Sequence, residues 1–251
     1  MFCTIISDAY TTDEREKIFS YIDDLCSPTD NHGWSSNGIY CYWNYYTKEI
    51  LYIGLARDLG YRFKQHNGLV SCNENSCKIN EINNYFNKYE KLGFSIIVQS
   101  PLVQMNNFRN SDLSAFDLDS ETNDAFRNDL SSIEGNLIRG HEIHFGSIPR
   151  WNKVNGASGR SDFQDFSIFK NLTLQEDSFL NARVPLRELS ENPTFEFYET
   201  TLHGIRHLNM HRSDGATFRQ MIDEFKAIDP FADVHKYDKL YEYILKDIQT
   251  L

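Results

Sequence analysis

This sequence has no apolar run approaching the roughly 20 residues of a membrane span. Its first residues, MFCTIISDAYTTDERE, lack the basic start and long apolar stretch of a secretory signal. Cysteine is sparse and odd in number, five in all (Cys3, Cys26, Cys41, Cys72, Cys77). That excludes a disulfide framework and points to a reducing compartment, the cytoplasm. There is no internal repeat and no low-complexity tract, which excludes solenoids and disordered tails. Positive charge is also short. Twenty-five Lys and Arg face 36 Asp and Glu, a net charge of −11, unlike a generic nucleic-acid binder. What is present is a core: 40% of the residues are hydrophobic and 14% aromatic, enough for a globular protein.

The charge is unevenly spread. Residues 1–33 carry two basic and seven acidic side chains, and 101–133 and 164–251 are also acidic on balance. Two segments run the other way. Residues 34–67 hold four basic side chains (Lys48, Arg57, Arg62, Lys64) against two acidic ones. Residues 134–160 hold Arg139, Arg150, Lys153 and Arg160 against Glu134 and Glu142. A cationic face on an acidic body is the expectation.

The pattern predicts a helix over 9–28, with Thr11 or Thr12 as cap and Ile18, Tyr21, Ile22 and Leu25 as its apolar stripe. Strands follow at 38–44 and 49–54, joined by a polar turn near Tyr46–Lys48, and then a helix from Asp58 to His66. A second amphipathic helix is expected over 76–92 with Gly93 as its stop, then a strand at 94–99. Residues 101–123 read as an acidic insertion, 123–139 as a helix and 147–160 as a loop. Beyond lies a mainly helical region, marked by Phe218, Met221, Ile222 and Phe225, and by Tyr241, Ile244 and Leu245.

Function is carried by NGIYCYWNYYTKEILYIGLARDLGYRFKQH, residues 37–66. Arg62 is a permanent forked cation suited to phosphate oxygens, and His66, four residues on, shares its helix face. Tyr40 and Tyr52 stand on adjacent strands where their hydroxyls can converge. A tyrosine with an ordinary pKa near 10 is a poor base and needs help from a cation, an imidazole or a metal-bound water. Taken singly, Tyr40 and Tyr52 read as strand core, Arg62 and His66 as a solvated helix face, and Glu134 as a surface carboxylate or as an inward one, beside Ile133, Leu137 and Ile138, that needs a partner such as a metal. Together, Gly38-Ile39-Tyr40, Tyr52-Ile53-Gly54, Arg62 and His66 resemble the signature of the GIY-YIG nuclease family. Downstream, Glu134, Leu137 and Ile138, then Pro149, Trp151 and Asn152, are similar to that family's E-x-x-L-I and P-x-[YW]-N elements. The Gly-rich WNKVNGASGR continuation is most like its type II restriction endonucleases. The sequence departs from the pattern at Tyr61, where some members have Lys, at Leu55, and in a long Glu-to-Asn gap that reads as an insertion at GHEIHFGS.

The resemblance covers roughly residues 36–156. It implies an α/β fold, a small domain with a short central β-sheet flanked by helices, over residues 34–160. Residues 1–33 would be an N-terminal helical extension, and 161–251 a C-terminal mainly helical region for DNA recognition or dimerisation. It implies cleavage of double-stranded DNA with Mg²⁺ (or Mn²⁺), and cutting both strands with one active site per chain favours a homodimer. Glu134 would bind the metal, Arg62 stabilise the phosphorane-like state and Tyr40 serve as base. Tyr52 and His66 would position water or relay a proton, and Asn152 would hold the site together. Arg57, Lys64, Arg150, Lys153 and Arg160 are candidates for DNA contact. Homing, repair or structure-specific nucleases of the family are alternatives, as is a catalytically silent DNA-binding or scaffolding protein.

Three further groups read more plainly. Cys72 and Cys77 are expected as free thiols near a loop rather than half of a zinc site. His141 and His144 are expected in an inserted loop. His203, His207 and His211 fall on one helical face, expected to be a solvated or interface face.

Overall fold

The computed structural model describes residues 4–27, 34–72, 77–99, 124–153, 166–176, 178–210, 217–228 and 234–244. The expected insertion at 101–123, Arg160 and His211 lie outside them. The chain is mixed α/β, built on a four-stranded antiparallel sheet: β1 (Thr4–Tyr10), β2 (Gly38–Asn44), β3 (Ile50–Ala56) and β4 (Leu92–Val98), in the order β1-β4-β2-β3. Strands β2 and β3 form the expected hairpin. Its turn is made by Asn44, whose side-chain oxygen accepts the amides of Tyr46 and Thr47, while Lys48 takes a left-handed backbone with φ 62°.

Both faces of the sheet are covered, so its strands are buried almost throughout. On one face Ile6, Tyr10, Tyr40, Tyr42, Phe94, Ile96 and Val98 pack against five helices: α1 (Arg15–Cys26), α2 (Leu59–Asn67), α3 (Ile79–Phe86), α6 (Leu186–Glu191) and α7 (Pro193–Met210). Met221 and Ile222 of α8 (Phe218–Ile228) and Leu240 and Tyr243 of α9 (Val234–Ile244) extend that layer. On the other face Ile5, Ile39, Cys41, Trp43, Ile53 and Ile97 meet α4 (Asp124–Phe145) and α5 (Ser167–Leu172).

Four expectations need correction. Residues 1–33 are not simply a helical extension: Thr4–Tyr10 is a sheet strand paired along its length with β4, and the helix begins only after a short 3-10 turn at Thr12–Glu14. Gly93 does not stop a helix. It lies in β4 with the Trp43 ring across it, where a Cβ would come within 2.2 Å of that ring. Helix α4 does not end at Arg139. It runs on through His141 and His144, so these lie on a helix rather than in a loop, and it ends before Gly146, at φ 80°. Cys72 and Cys77 are placed sulfur to sulfur as a disulfide pair, Cα atoms 6.6 Å apart, not as two separate thiols.

Neither sheet edge is left open, as edge strands require. Beside β1, Ile5 gives its amide to Leu180 and accepts that of Ala182. Beside β3, the amide of Trp151 donates to Leu51. The β1 edge is closed by the C-terminal region and the β3 edge by the segment carrying Asn152.

Candidate active site

Helix α2 begins at Asp58, whose carboxylate accepts the Tyr61 amide at 2.8 Å, and ends at Gly68 in a left-handed conformation. That fixes its rotation. Phe63 enters the core and His66 points at the sheet, fully buried. The His66 ring meets Tyr40: Nε2 lies 2.7 Å from the Tyr40 oxygen. Its other nitrogen, Nδ1, accepts the Lys78 amide at 2.8 Å. An amide only donates, so Nδ1 carries no proton and the neutral ring holds its hydrogen on Nε2. His66 therefore donates to Tyr40. Arg62 Nε donates to the same oxygen at 3.3 Å, and Gln65 holds the guanidinium through Nη1 at 2.7 Å.

The Tyr40 oxygen thus takes two N–H donors, which fill its lone pairs and stabilise charge on it. Burial and neighbouring Tyr52 nonetheless hold the Tyr40 hydroxyl well above its ordinary value, with Arg62 pulling the other way. The same burial, with Arg62 and Lys78, drives the His66 imidazole down to about 2, so the ring stays neutral at any working pH. Tyr52 is half-buried beside Tyr40, ring centroids 5.7 Å apart. Gly54 lies between them because nothing larger fits: a Cβ there would sit 2.6 Å from the Tyr40 hydroxyl and 2.7 Å from the Tyr52 ring.

The outer edge of β3 supplies the rest. Its outward-facing peptide groups belong to Leu51, Ile53 and Leu55. Asn152 caps Ile53 on both sides, accepting its amide at 3.0 Å and donating to its carbonyl at 2.8 Å. Glu134 of α4 accepts the Leu55 amide within electrostatic reach of Arg62. Its carboxyl is pushed up by burial, which the Leu55 amide and Arg62 only partly offset. The motif residues far down the chain are therefore the caps of the strand that carries Tyr52.

One further group belongs to this cluster and was not apparent in the sequence. Lys78, between Cys77 and α3, has a side chain only 6% exposed. Its Nζ lies 4.8 Å from the centre of the Tyr52 ring and 4.0 Å from Glu81. Burial lowers its pKa, with Lys153 and Arg62 adding to the effect and Glu81 opposing it. No spacing signal marks it, because a loop brings it in.

The DNA-contact candidates divide. Lys153 is exposed and close enough to Lys78 to interact. Arg150 is exposed, 4.0 Å from Glu49. Lys64 lies with its Nζ 3.6 Å from the centre of the Phe19 ring of α1, and being two residues from Arg62 it faces elsewhere. Arg57 is half-buried just after β3. His141 donates from Nδ1 to the Ser147 carbonyl at 2.7 Å, and His144 stacks on Phe166. His203 and His207 are buried rather than solvated.

Mg²⁺ is held through few protein carboxylates, with water and substrate phosphate completing its shell. One half-buried carboxylate within electrostatic reach of Arg62 fits that demand, and Glu134 is that group. Among the described residues no three His, Cys, Asp or Glu side chains converge into a closed metal site. No helix among them is long and apolar enough to cross a membrane.

No family model matches this chain, and neither a curated protein nor a solved structure matches it.

Proposed function

We propose that this protein is a metal-dependent endonuclease that hydrolyses phosphodiester bonds of double-stranded DNA, site-specifically and as a homodimer. The observation that carries the reading is the Tyr40 oxygen, held between Arg62 and His66, with Glu134 bound to the edge of the neighbouring strand β3. The resemblance of these residues, in order, to GIY-YIG nucleases supports it. Cutting two antiparallel strands with one site per chain favours a two-fold dimer.

In this reading the Tyr40 phenol first gives its own proton to solvent, and the remaining lone pair of the phenolate then takes the proton of the attacking water. His66 and Arg62 donate to its oxygen and so stabilise the phenolate. Arg62 also faces the phosphate oxygens and meets the charge that grows on them in the transition state. Tyr52 orients water from the adjacent strand, and Asn152 keeps β3 and the Trp151 segment in register. A divalent ion on Glu134 would supply Lewis acidity at the phosphate. The neutral His66, with its Nδ1 occupied by the Lys78 amide, is an orienting donor and not a general base.

The test is to incubate plasmid or phage DNA with the protein and Mg²⁺, beside Glu134→Ala and Arg62→Ala. Discrete bands lost in both variants are expected. Cleavage that persists in both would remove this site from the reaction. Binding of duplex without cleavage under any metal would favour a silent DNA-binding protein instead.

A further inference from the structure

Lys78 is the least satisfied charge in the cluster. Its side chain is 6% exposed, yet its Nζ makes no hydrogen bond among the described residues. Its one carboxylate neighbour, Glu81, is 4.0 Å away, too far for a hydrogen bond. The Tyr52 ring face, 4.8 Å away, holds the ammonium by cation–π attraction but satisfies none of its three N–H donors. Its Nζ is not walled off from solvent, so an anion can take the place of water on it. Its nearest charges of like sign are Arg62 and Lys153, so the group this part of the cluster attracts is an anion. The backbone of the same residue is committed: its amide fixes the His66 ring. Position and side chain therefore serve different ends, and a substitution that keeps the backbone amide separates them.

On the endonuclease reading given above, we infer that Lys78 is a substrate-binding residue whose ammonium takes a phosphate oxygen of the nucleic acid beside the one held by Arg62. Lys78 is a compact point charge and Arg62 a planar fork, so the pair holds a phosphate from two directions without competing for one geometry. Tyr52 then acts as the platform that aims Lys78. The depressed pKa agrees: burial, Lys153 and Arg62 disfavour the ammonium, and a bound phosphate would favour it, with proton uptake on binding.

Two measurements test this. The first makes no assumption about nuclease activity. Inorganic phosphate is titrated into the full chain while the Lys78 side-chain NMR signal is followed, assigned by its loss in Lys78→Met. The signal is expected to shift and saturate in the millimolar range, with its pKa rising. The second compares wild type, Lys78→Met and Lys78→Arg in plasmid cleavage, and in duplex binding across a salt series in a Glu134→Gln background. Lys78→Met is expected to lose about 10- to 100-fold in cleavage, the worth of one hydrogen bond to a charged group. Its log–log salt slope should fall by about 0.9, one phosphate contact. Lys78→Arg should recover part of both. A merely structural lysine would leave the salt slope unchanged. If phosphate leaves the Lys78 signal still, and Lys78→Met cuts and binds as wild type does, the inference is overturned while the nuclease reading stands. If phosphate moves the signal but wild type cuts no duplex, the nuclease reading falls and the anion site survives it.

Discussion

Two clusters in this molecule use the same residue types to opposite ends. At the β3 edge stand Arg62, His66, Tyr40 and Glu134. At the β1 edge stand Arg206, His203, Tyr243 and Glu199. The second cluster is enclosed and densely hydrogen-bonded. Arg206, 1% exposed, donates to the Phe179 and Asn181 carbonyls, to Thr4 and to Glu199. Glu199, fully buried, also accepts the Tyr243 hydroxyl at 2.8 Å and the Arg183 amide at 2.7 Å. His203 is held between Thr4 and the Gln99 carbonyl. In the first cluster Arg62 and Glu134 are only half-buried, and Lys78 Nζ has no hydrogen-bond acceptor among the described residues. Residue type does not separate a clamp from a candidate catalytic centre. Burial does: the second cluster is closed to solvent, while Arg62 and Glu134 remain within reach of a molecule arriving from it.

The largest effect that can break this comparison is at Arg206. Arg206→Ala leaves Glu199 buried without its cation, and a loss of about 3–5 kcal/mol in urea unfolding is expected. Arg62→Ala should leave the unfolding midpoint nearly in place. If the two variants unfold alike, the division into clamp and site is wrong.

Next is the reverse measurement. Arg62→Ala should reduce plasmid cleavage on the order of 10²- to 10³-fold, the usual loss for one donor to a developing oxyanion. Residual folded Arg206→Ala protein, assayed well below its melting temperature, should cut at close to the wild-type rate. A reaction indifferent to Arg62 would remove the candidate site from the chemistry.

What the sequence displayed of all this follows how local each feature is. The β2–β3 hairpin and α2 were readable because their determinants are neighbours: Asn44 in the turn, Asp58 at the cap, Gly68 past the end. Strand β1 was not. Ser7 and Asp8 look too polar for a buried strand, and their partners lie far off: Ser95 at 2.8 Å, and Arg187, which grips the Asp8 carboxylate from α6. The histidine face of α7 read as solvated for the same reason, since Thr4 and Gln99 that satisfy His203 come from the sheet. Within the candidate site, the residues were readable in order but not their connections. Nothing in the sequence says that Glu134 and Asn152 cap successive outward peptides of β3, or that a loop residue sets the His66 tautomer.

Asn152 gives a smaller effect and sharpens the edge comparison. Asn152→Ala leaves the Ile53 amide and carbonyl without their cap, a loss of about 1–3 kcal/mol. The β1 edge should not respond. Hydrogen exchange would show it: the Ile53 amide should exchange faster in the variant, and the Ile5 amide, bonded to Leu180, should not. Equal acceleration at both edges would mean that they unfold as one unit.

The smallest effect is in pH, and it treats the two clusters alike where the others set them apart. His66 and His203 are both buried neutral, lowered by burial to about 2 and about 3. An unfolded histidine titrates near about 6.5. Below that value the unfolded chain binds protons that the folded chain refuses, so stability is fully present above it and is lost as pH falls. Each histidine should contribute about 1.4 kcal/mol per pH unit to that acid slope. His203→Gln should flatten the urea-midpoint profile between about pH 7 and 5 by one histidine's share, a range kept above most carboxylates. His66→Gln should flatten it equally. Only His66→Gln should also depress cleavage, because of the two histidines only His66 donates to Tyr40. A full acid slope in His203→Gln would mean that another group carries it. Cleavage lost equally in both variants would place the damage in the fold rather than in the Tyr40 oxygen.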